Sequence, residues 1–240
     1  MGTMNRPGQR VGFFGGSFDP PHLGHLAVAR AAQAALRLDV VLFAPVGAQP
    51  LKSQGATASY EDRLAMTRLT IAGVLGFEVS LADAPRADGA PNYTLETLSQ
   101  LHTELGPSCS LFFLMGADSF LGLGTWHRAD EVPFAATLIV ASRPGQPLED
   151  LEAALPAGLT IRGGSEPGLT QGGVEVRAFE LRNQAGQVAE LYLLPGLDVP
   201  VSASEIRARI RDQDKQTASS KPALLSQSVL DYVHQRGLYR

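Results

Sequence analysis

Short apolar runs alternate with segments of helical spacing over most of the chain, and this alternation restricts its fold more than any other feature. Val11–Phe14, Val40–Ala44, Leu111–Met115 and Leu138–Ala141 read as buried strands. Between them, Leu23–Leu36, Tyr60–Gly73 and Tyr93–Leu105 repeat apolar residues at helical intervals. Strands buried on both faces and separated by helices predict an α/β domain: a doubly wound parallel sheet with helices on both faces.

Local signals mark where several helices begin and end. Ser59 with Asp62, and Ser202 with Glu205, have the spacing of capping boxes. Ser226–Arg236 reads as a helix stopped by Gly237. The stretch from Arg143 to Gly196 breaks the pattern: it is rich in Gly and Pro and holds two strand-like runs, Val174–Arg182 and Val188–Leu194, joined by turn-forming Asn183–Gly186. The expectation is a single domain over residues 1–240, with a hairpin-containing excursion at about 145–195 and a helical C-terminal part at about 202–240.

Composition narrows the function classes. The 240 residues are 44% hydrophobic, enough for a substantial core, and carry a net charge of −4. That charge gives no broad cationic field for a nucleic-acid backbone, and no basic tract with interleaved aromatics is present; a local pocket for one nucleotide stays open. Cys109 is the only cysteine, so an intramolecular disulfide or a thiolate zinc site is excluded and a reducing cytoplasm fits. Met1–Arg10 lacks the apolar stretch of a secretory signal, and no run approaches the roughly 20 apolar residues of a membrane span.

Chemistry concentrates first in the string Gly15-Gly16-Ser17-Phe18-Asp19-Pro20-Pro21-His22-Leu23-Gly24-His25, which leaves the first strand and enters the first helix. Ligands of open parallel sheets bind beyond the carboxyl ends of strands, where a helix N-terminus offers N–H groups and partial positive charge to phosphate. Gly15, Gly16 and Gly24 let the backbone approach such a ligand closely. His22 and His25, three residues apart in the opening turn, can both face it. An isolated pair of this kind is more often a capping and a core histidine; inside this string it reads as two donors converging on one anion.

A second constellation is Val201-Ser202-Ala203-Ser204-Glu205-Ile206-Arg207, where a helix start presents Ser202, Ser204 and Arg207 together, a set suited to phosphate oxygens. By itself it reads more readily as a good N-cap with a solvated arginine; its pairing with the histidine string reverses that. Lys52 lies in the loop Pro45–Ser59 and could act as a mobile point charge. Asp118 follows the Leu111–Met115 strand and is expected at the sheet's carboxyl edge.

Taken together, the first string resembles the signature of the nucleotidyltransferase superfamily with a His-x-Gly-His motif, and the second resembles its Ile-Ser-Ser-Thr-x-Ile-Arg element. More specifically, the chain is similar to bacterial nicotinate-nucleotide adenylyltransferases. Further matches are Pro50-Leu51-Lys52, Tyr93-Thr94-Leu95-Glu96-Thr97-Leu98, Gly116-Ala117-Asp118-Ser119, Thr125-Trp126-His127 and Ser142-Arg143-Pro144-Gly145. The resemblance implies a Rossmann-like sheet and transfer of AMP from ATP to nicotinate mononucleotide in NAD biosynthesis, in the cytoplasm. It implies ATP contacts from Gly15, Gly16, Ser17, Phe18, His22, Gly24, His25, Gly116, Asp118, Ser202, Ser204 and Arg207, of which His22, His25 and Arg207 are catalytic. Acceptor contacts would come from Lys52, Tyr93, Thr94, Trp126, His127 and Arg143, with Trp126 stacking on the pyridine ring and amides near Thr94 and His127 receiving the carboxylate.

The acceptor phosphate is already ionised at neutral pH, so the expected mechanism is positioning and charge neutralisation rather than base catalysis. Mg2+ is expected on the ATP phosphates and water, since the sequence holds no dedicated carboxylate cage for it. The expected partners are the two small-molecule substrates, with no nucleic acid and no membrane; a homo-oligomer is left open. Leu51 stands where the family commonly has histidine, His127 where tyrosine is frequent, and Ala203-Ser204 replaces Ser-Thr; the excursion is longer than usual. The alternatives are nicotinamide mononucleotide or phosphopantetheine as acceptor, or a nucleotide-binding regulatory protein without turnover.

Overall fold

The computed structural model describes residues 7–48, 55–142, 151–164, 169–197, 202–213 and 224–240. Among the described residues, nine strands lie in the order β3-β2-β1-β4-β5-β9-β8-β6, with β7 paired to β8. They are β1 (Arg10–Gly16), β2 (Val40–Pro45), β3 (Phe77–Val79), β4 (Ser110–Gly116), β5 (Thr137–Ala141), β6 (Leu159–Gly163), β7 (Leu169–Gln171), β8 (Val174–Asn183) and β9 (Val188–Leu194). Helices α1 (Leu23–Leu36), α2 (Tyr60–Ile71), α3 (Thr94–Leu105), α4 (Ala117–Leu121), α5 (Val132–Ala135), α6 (Ala203–Gln213) and α7 (Gln227–Arg236) connect or follow them.

The strand order reverses between β1 and β4, which pair in parallel from Arg10↔Ser110 to Phe14↔Leu114. Every residue of β2 is buried, as are the central five of β4 and the last four of β5, so these strands are covered on both faces. The expected doubly wound, Rossmann-like sheet is thus present, with an antiparallel extension at one end.

That extension is the Gly- and Pro-rich stretch. Its two expected strands form the antiparallel pair β8–β9, from Arg177↔Leu193 to Arg182↔Val188, closed by a turn in which the Gly186 amide donates to the Asn183 carbonyl at 3.0 Å. Its composition predicts an excursion within the domain. In the fold β9 continues the main sheet in parallel with β5, from Leu138↔Leu191 to Ala141↔Leu194. Three-residue β3 and β7 are too short to show any periodicity, and β6 carries one fully buried position, so none of the three stands out in the sequence.

The chain divides into two compact units. The first takes in Met1–Phe14, Val28–Leu42 and Tyr93–Asp198. Its core includes Phe13 against Phe113, ring centroids 5.8 Å apart, and Phe112 beneath the Arg10 guanidinium at 4.6 Å. The turn between β7 and β8 is seated here on α1, because a Cβ at Gly172 would lie 2.7 Å from the Ala34 carbonyl oxygen.

The second unit takes in Gly15–Ala27, Phe43–Asn92 and Val199–Arg240. Phe43 packs between Phe18 and Phe77, at 5.8 and 5.2 Å. A cluster of Ala58, Met66, Ile206, Ile210, Leu225, Val229, Val233 and Tyr239 binds α2, α6 and α7 together. Helix α2 starts at Ser59, whose hydroxyl accepts the Asp62 amide at 3.1 Å and donates to the Asp62 carboxylate at 2.9 Å. The Asp62 carboxylate also accepts from Tyr232 at 2.9 Å and Arg236 at 3.2 Å, both on α7. Burial would raise the Asp62 pKa, but hydrogen bonds from Ser59, Tyr232 and Arg236 outweigh it and hold the carboxyl below its ordinary value. Helix α7 ends as expected at Gly237, in the left-handed conformation, with its amide on the His234 carbonyl.

Candidate active site

In the second unit, β1 ends in Gly15-Gly16 and the chain turns through Ser17, Phe18 and Asp19 into α1. Phe18 adopts a positive φ of 47° and lies buried, its ring meeting His25 edge-on at 4.9 Å. At Gly16 a Cβ would sit 3.4 Å from the Phe18 ring, so the small residue lets that ring fold back under the turn. The Gly16 carbonyl accepts the Val46 amide at 3.0 Å, fixing the end of β1.

His22 and His25 come together as expected. Their rings lie 3.7 Å apart at 30°, and the His22 amide donates to Nδ1 of His25 at 3.1 Å. The neutral His25 ring therefore carries its proton on Nε2, the nitrogen able to donate to an anionic oxygen. The first turn of α1 is less open than the sequence implies: the Leu23 amide donates to the Leu224 carbonyl at 3.0 Å, and the His25 amide to the His22 carbonyl at 2.9 Å. The Leu23 and His25 amides of this turn are thus already engaged within the protein.

Helix α6 delivers the second constellation. Ser202 caps it, its hydroxyl accepting the Glu205 amide at 3.2 Å, while the Glu205 carboxylate pairs with Arg209 instead of completing a capping box. Arg207 donates from Nη1 to the Asp19 carbonyl at 2.6 Å and from Nη2 to the Ser204 hydroxyl at 3.3 Å. Ser204, Arg207 and the signature turn are accordingly brought to one place.

Three residues there have no role in the sequence reading. Asp19 is 4% exposed, and its carboxylate accepts from the amides of Thr57 at 2.6 Å and Ala58 at 3.1 Å and from the Tyr239 hydroxyl at 2.7 Å. Arg63, 2% exposed, donates from Nη1 to the Ser17 carbonyl at 2.7 Å; burial lowers its pKa, opposed by the charge of Asp19. Tyr239 has its pKa driven far up by burial and by the hydrogen bond to Asp19, so it stays a neutral donor. Asp19 lies within the motif and could have been singled out there; Arg63 and Tyr239 carry no local signal.

In the first unit, the Tyr93 and His127 rings lie 4.4 Å apart, and half-buried Trp126 meets Phe113 at 6.1 Å. Tyr93 precedes α3 with Thr94 as its first residue, and no side chain caps that helix start. Gly116 ends β4, and Asp118 follows in α4 with its side chain exposed. A Cβ at Gly116 would meet open space, so this glycine is not demanded by packing. Lys52 and Arg143 lie outside the described residues.

The cytidylyltransferase-like family model matches residues 13–209. A probable nicotinate-nucleotide adenylyltransferase of Stenotrophomonas maltophilia is 38% identical over 235 residues, covering 95% of this chain and 96% of the relative. One from Gloeobacter violaceus is 34% identical over 232 residues, covering 97% of each. The chain belongs to the nicotinate-nucleotide adenylyltransferase family. The fold of Plasmodium falciparum nicotinic acid mononucleotide adenylyltransferase, solved with NaAD, is similar at a TM-score of 0.63 and 16% identity, covering 96% of this chain and 97% of that one.

Within this nicotinate-nucleotide adenylyltransferase family member, the signature string runs from β1 into α1, as the motif requires. Among the described residues no three His, Cys, Asp or Glu side chains gather as a metal cage, and no helix is long and apolar enough to cross a membrane.

Proposed function

We propose that the chain transfers the adenylyl group of MgATP to nicotinate mononucleotide, giving deamido-NAD and pyrophosphate in the cytoplasm. The observation that carries this reading is the junction at Asp19: the turn bearing Ser17, His22 and His25 meets the helix bearing Ser204 and Arg207, with Arg207 Nη1 2.6 Å from the Asp19 carbonyl. Donors from two distant segments then surround one turn, as a triphosphate requires.

An oxygen of the acceptor's phosphate attacks the α-phosphorus of ATP. The bond from that phosphorus to the bridging oxygen breaks, and pyrophosphate leaves with the electron pair. No proton has to be removed, because a phosphate monoester is largely ionised at neutral pH. The barrier is repulsion between anions, which His22, His25 and Arg207 lower by donating to the phosphoryl oxygens as charge shifts toward pyrophosphate. Because the Asp19 carboxylate is already taken up by three donors, the magnesium is proposed to arrive on the ATP phosphates, as part of the substrate.

Preference for nicotinate is supported by the start of α3. With no side chain capping it, the first-turn amides and the positive end of the helix suit a carboxylate better than a neutral carboxamide. The half-buried Trp126 ring suits stacking on the pyridine.

The test is to mix the protein with ATP, Mg2+ and nicotinate mononucleotide and follow pyrophosphate and deamido-NAD. Comparison of kcat/KM for nicotinate mononucleotide, nicotinamide mononucleotide and phosphopantetheine should rank the first highest. ATP binding without any product would instead mark a nucleotide sensor.

A further inference from the structure

The geometry points to Tyr239 as a positioning residue for this reaction, acting through Asp19 on Arg207 and on the turn that carries His22. The inference rests on the proposed adenylyl transfer and adds a side chain that touches no substrate.

The Tyr239 ring and hydroxyl perform different tasks. The ring belongs to the cluster containing Ile206 and Ile210, the apolar side of the helix that bears Arg207. Its hydroxyl donates to Asp19 Oδ1 at 2.7 Å, the oxygen that also accepts the Ala58 amide. Tyr239 is only 5% exposed and has a φ of 66°, a backbone conformation uncommon for an aromatic residue. Packing alone would be served by phenylalanine, whereas a buried hydroxyl is tolerated only with a partner.

The partner it has is the residue on which the site turns. Besides main-chain bonds, the signature turn is held by three side chains: Arg63 on the Ser17 carbonyl, Arg207 on the Asp19 carbonyl, and Tyr239 on the Asp19 carboxylate. Asp19 Oδ2 lies 3.9 Å from Arg207 Nη1, beyond a good hydrogen bond yet close enough to compete for it. By occupying Oδ1, Tyr239 keeps the carboxylate turned as it is, so the guanidinium rests on a neutral carbonyl and its charge remains for pyrophosphate. Without that hydroxyl, only the Thr57 and Ala58 amides hold the carboxylate, its charge is less well neutralised, and it competes more strongly for Arg207.

The test is Tyr239→Phe, assayed alone and in an Arg207→Lys background, beside Tyr232→Phe. Tyr232 makes the same kind of bond to buried Asp62, at 2.9 Å, on the contact between α2 and α7. Tyr239→Phe should lower kcat about tenfold, the scale of one charge-assisted hydrogen bond, with KM for ATP changed less than about threefold. In the Arg207→Lys background the same substitution should cost less than about twofold, because both changes act on one interaction. Tyr232→Phe should lower the melting temperature and leave kcat within about twofold. A wild-type rate for Tyr239→Phe, an equal loss with and without Arg207, or an equal loss in Tyr232→Phe overturns the inference. If Tyr239→Phe melts below the assay temperature, all rates are compared below its transition. A wild-type protein that makes no deamido-NAD sinks the function; one that makes it while Tyr239→Phe behaves as wild type sinks this inference alone.

Discussion

The amide of His22 holds Nδ1 of His25 at 3.1 Å, so the second imidazole is oriented by the main chain of the first. A ring fixed in this way needs no rearrangement to donate from Nε2, and such preorganisation is what makes a donor effective as charge develops.

His25→Ala should therefore lower kcat by about 10²–10³, the loss typical of one preorganised donor to developing charge. Alanine is favourable within a helix, so the circular dichroism spectrum should match that of wild type. Near-normal turnover with an intact spectrum contradicts the role given to His25.

Trp126→Ala should raise KM for nicotinate mononucleotide by about tenfold, the worth of one aromatic stacking contact, and leave KM for ATP nearly unchanged. Equal losses for both substrates would indicate that the ring only packs against Phe113.

Asp62 predicts a pH dependence of stability. Its folded pKa is depressed, so its contribution is present above the unfolded carboxyl value of about 3.9 and is lost as pH falls below it. Asp62→Asn should melt lower than wild type at neutral pH, and the gap should close on acidification below about pH 4. Thermal melts across that range measure it, and a gap that widens in acid contradicts the assignment.

Gly47 has no room for a side chain: a Cβ would lie 2.4 Å from the Pro85 nitrogen, and the neighbouring atoms are backbone. Gly47→Ala should destabilise the protein by about 1–3 kcal/mol, the range for overpacking where the surroundings cannot yield. Urea titration would show it as a lower midpoint, and an unchanged midpoint would mean that the Pro85 segment moves aside.

Legibility in the sequence followed the range of the interaction. The run Val11–Phe14, the glycines after it and the helical spacing beyond give β1, the turn and α1 directly, and the Ser59 and Gly237 helix ends obey local rules. The Ser202 and Ser59 capping boxes were half right. Their hydroxyls cap, but Glu205 turns its carboxylate to Arg209, and Asp62, while keeping one oxygen on the Ser59 hydroxyl, gives the other to Tyr232 and Arg236, partners that spacing cannot identify. β9 reads as half of a hairpin because its other neighbour, β5, is a parallel partner whose register, Leu138↔Leu191, spans far more chain than a turn does. The signature histidines stand out through their motif. Arg63 and Tyr239 do not, because each meets the turn through a single tertiary hydrogen bond.

The Asp19 junction joins residues 188 and 220 positions apart. Closing such long loops costs only slightly more than closing short ones, yet contacts of this separation are slow to form. A half-folded chain can have a finished β1 and a finished α1 and still hold no grip on triphosphate. The onset of ATP consumption in a refolding experiment is thus expected to time the docking of the last helices.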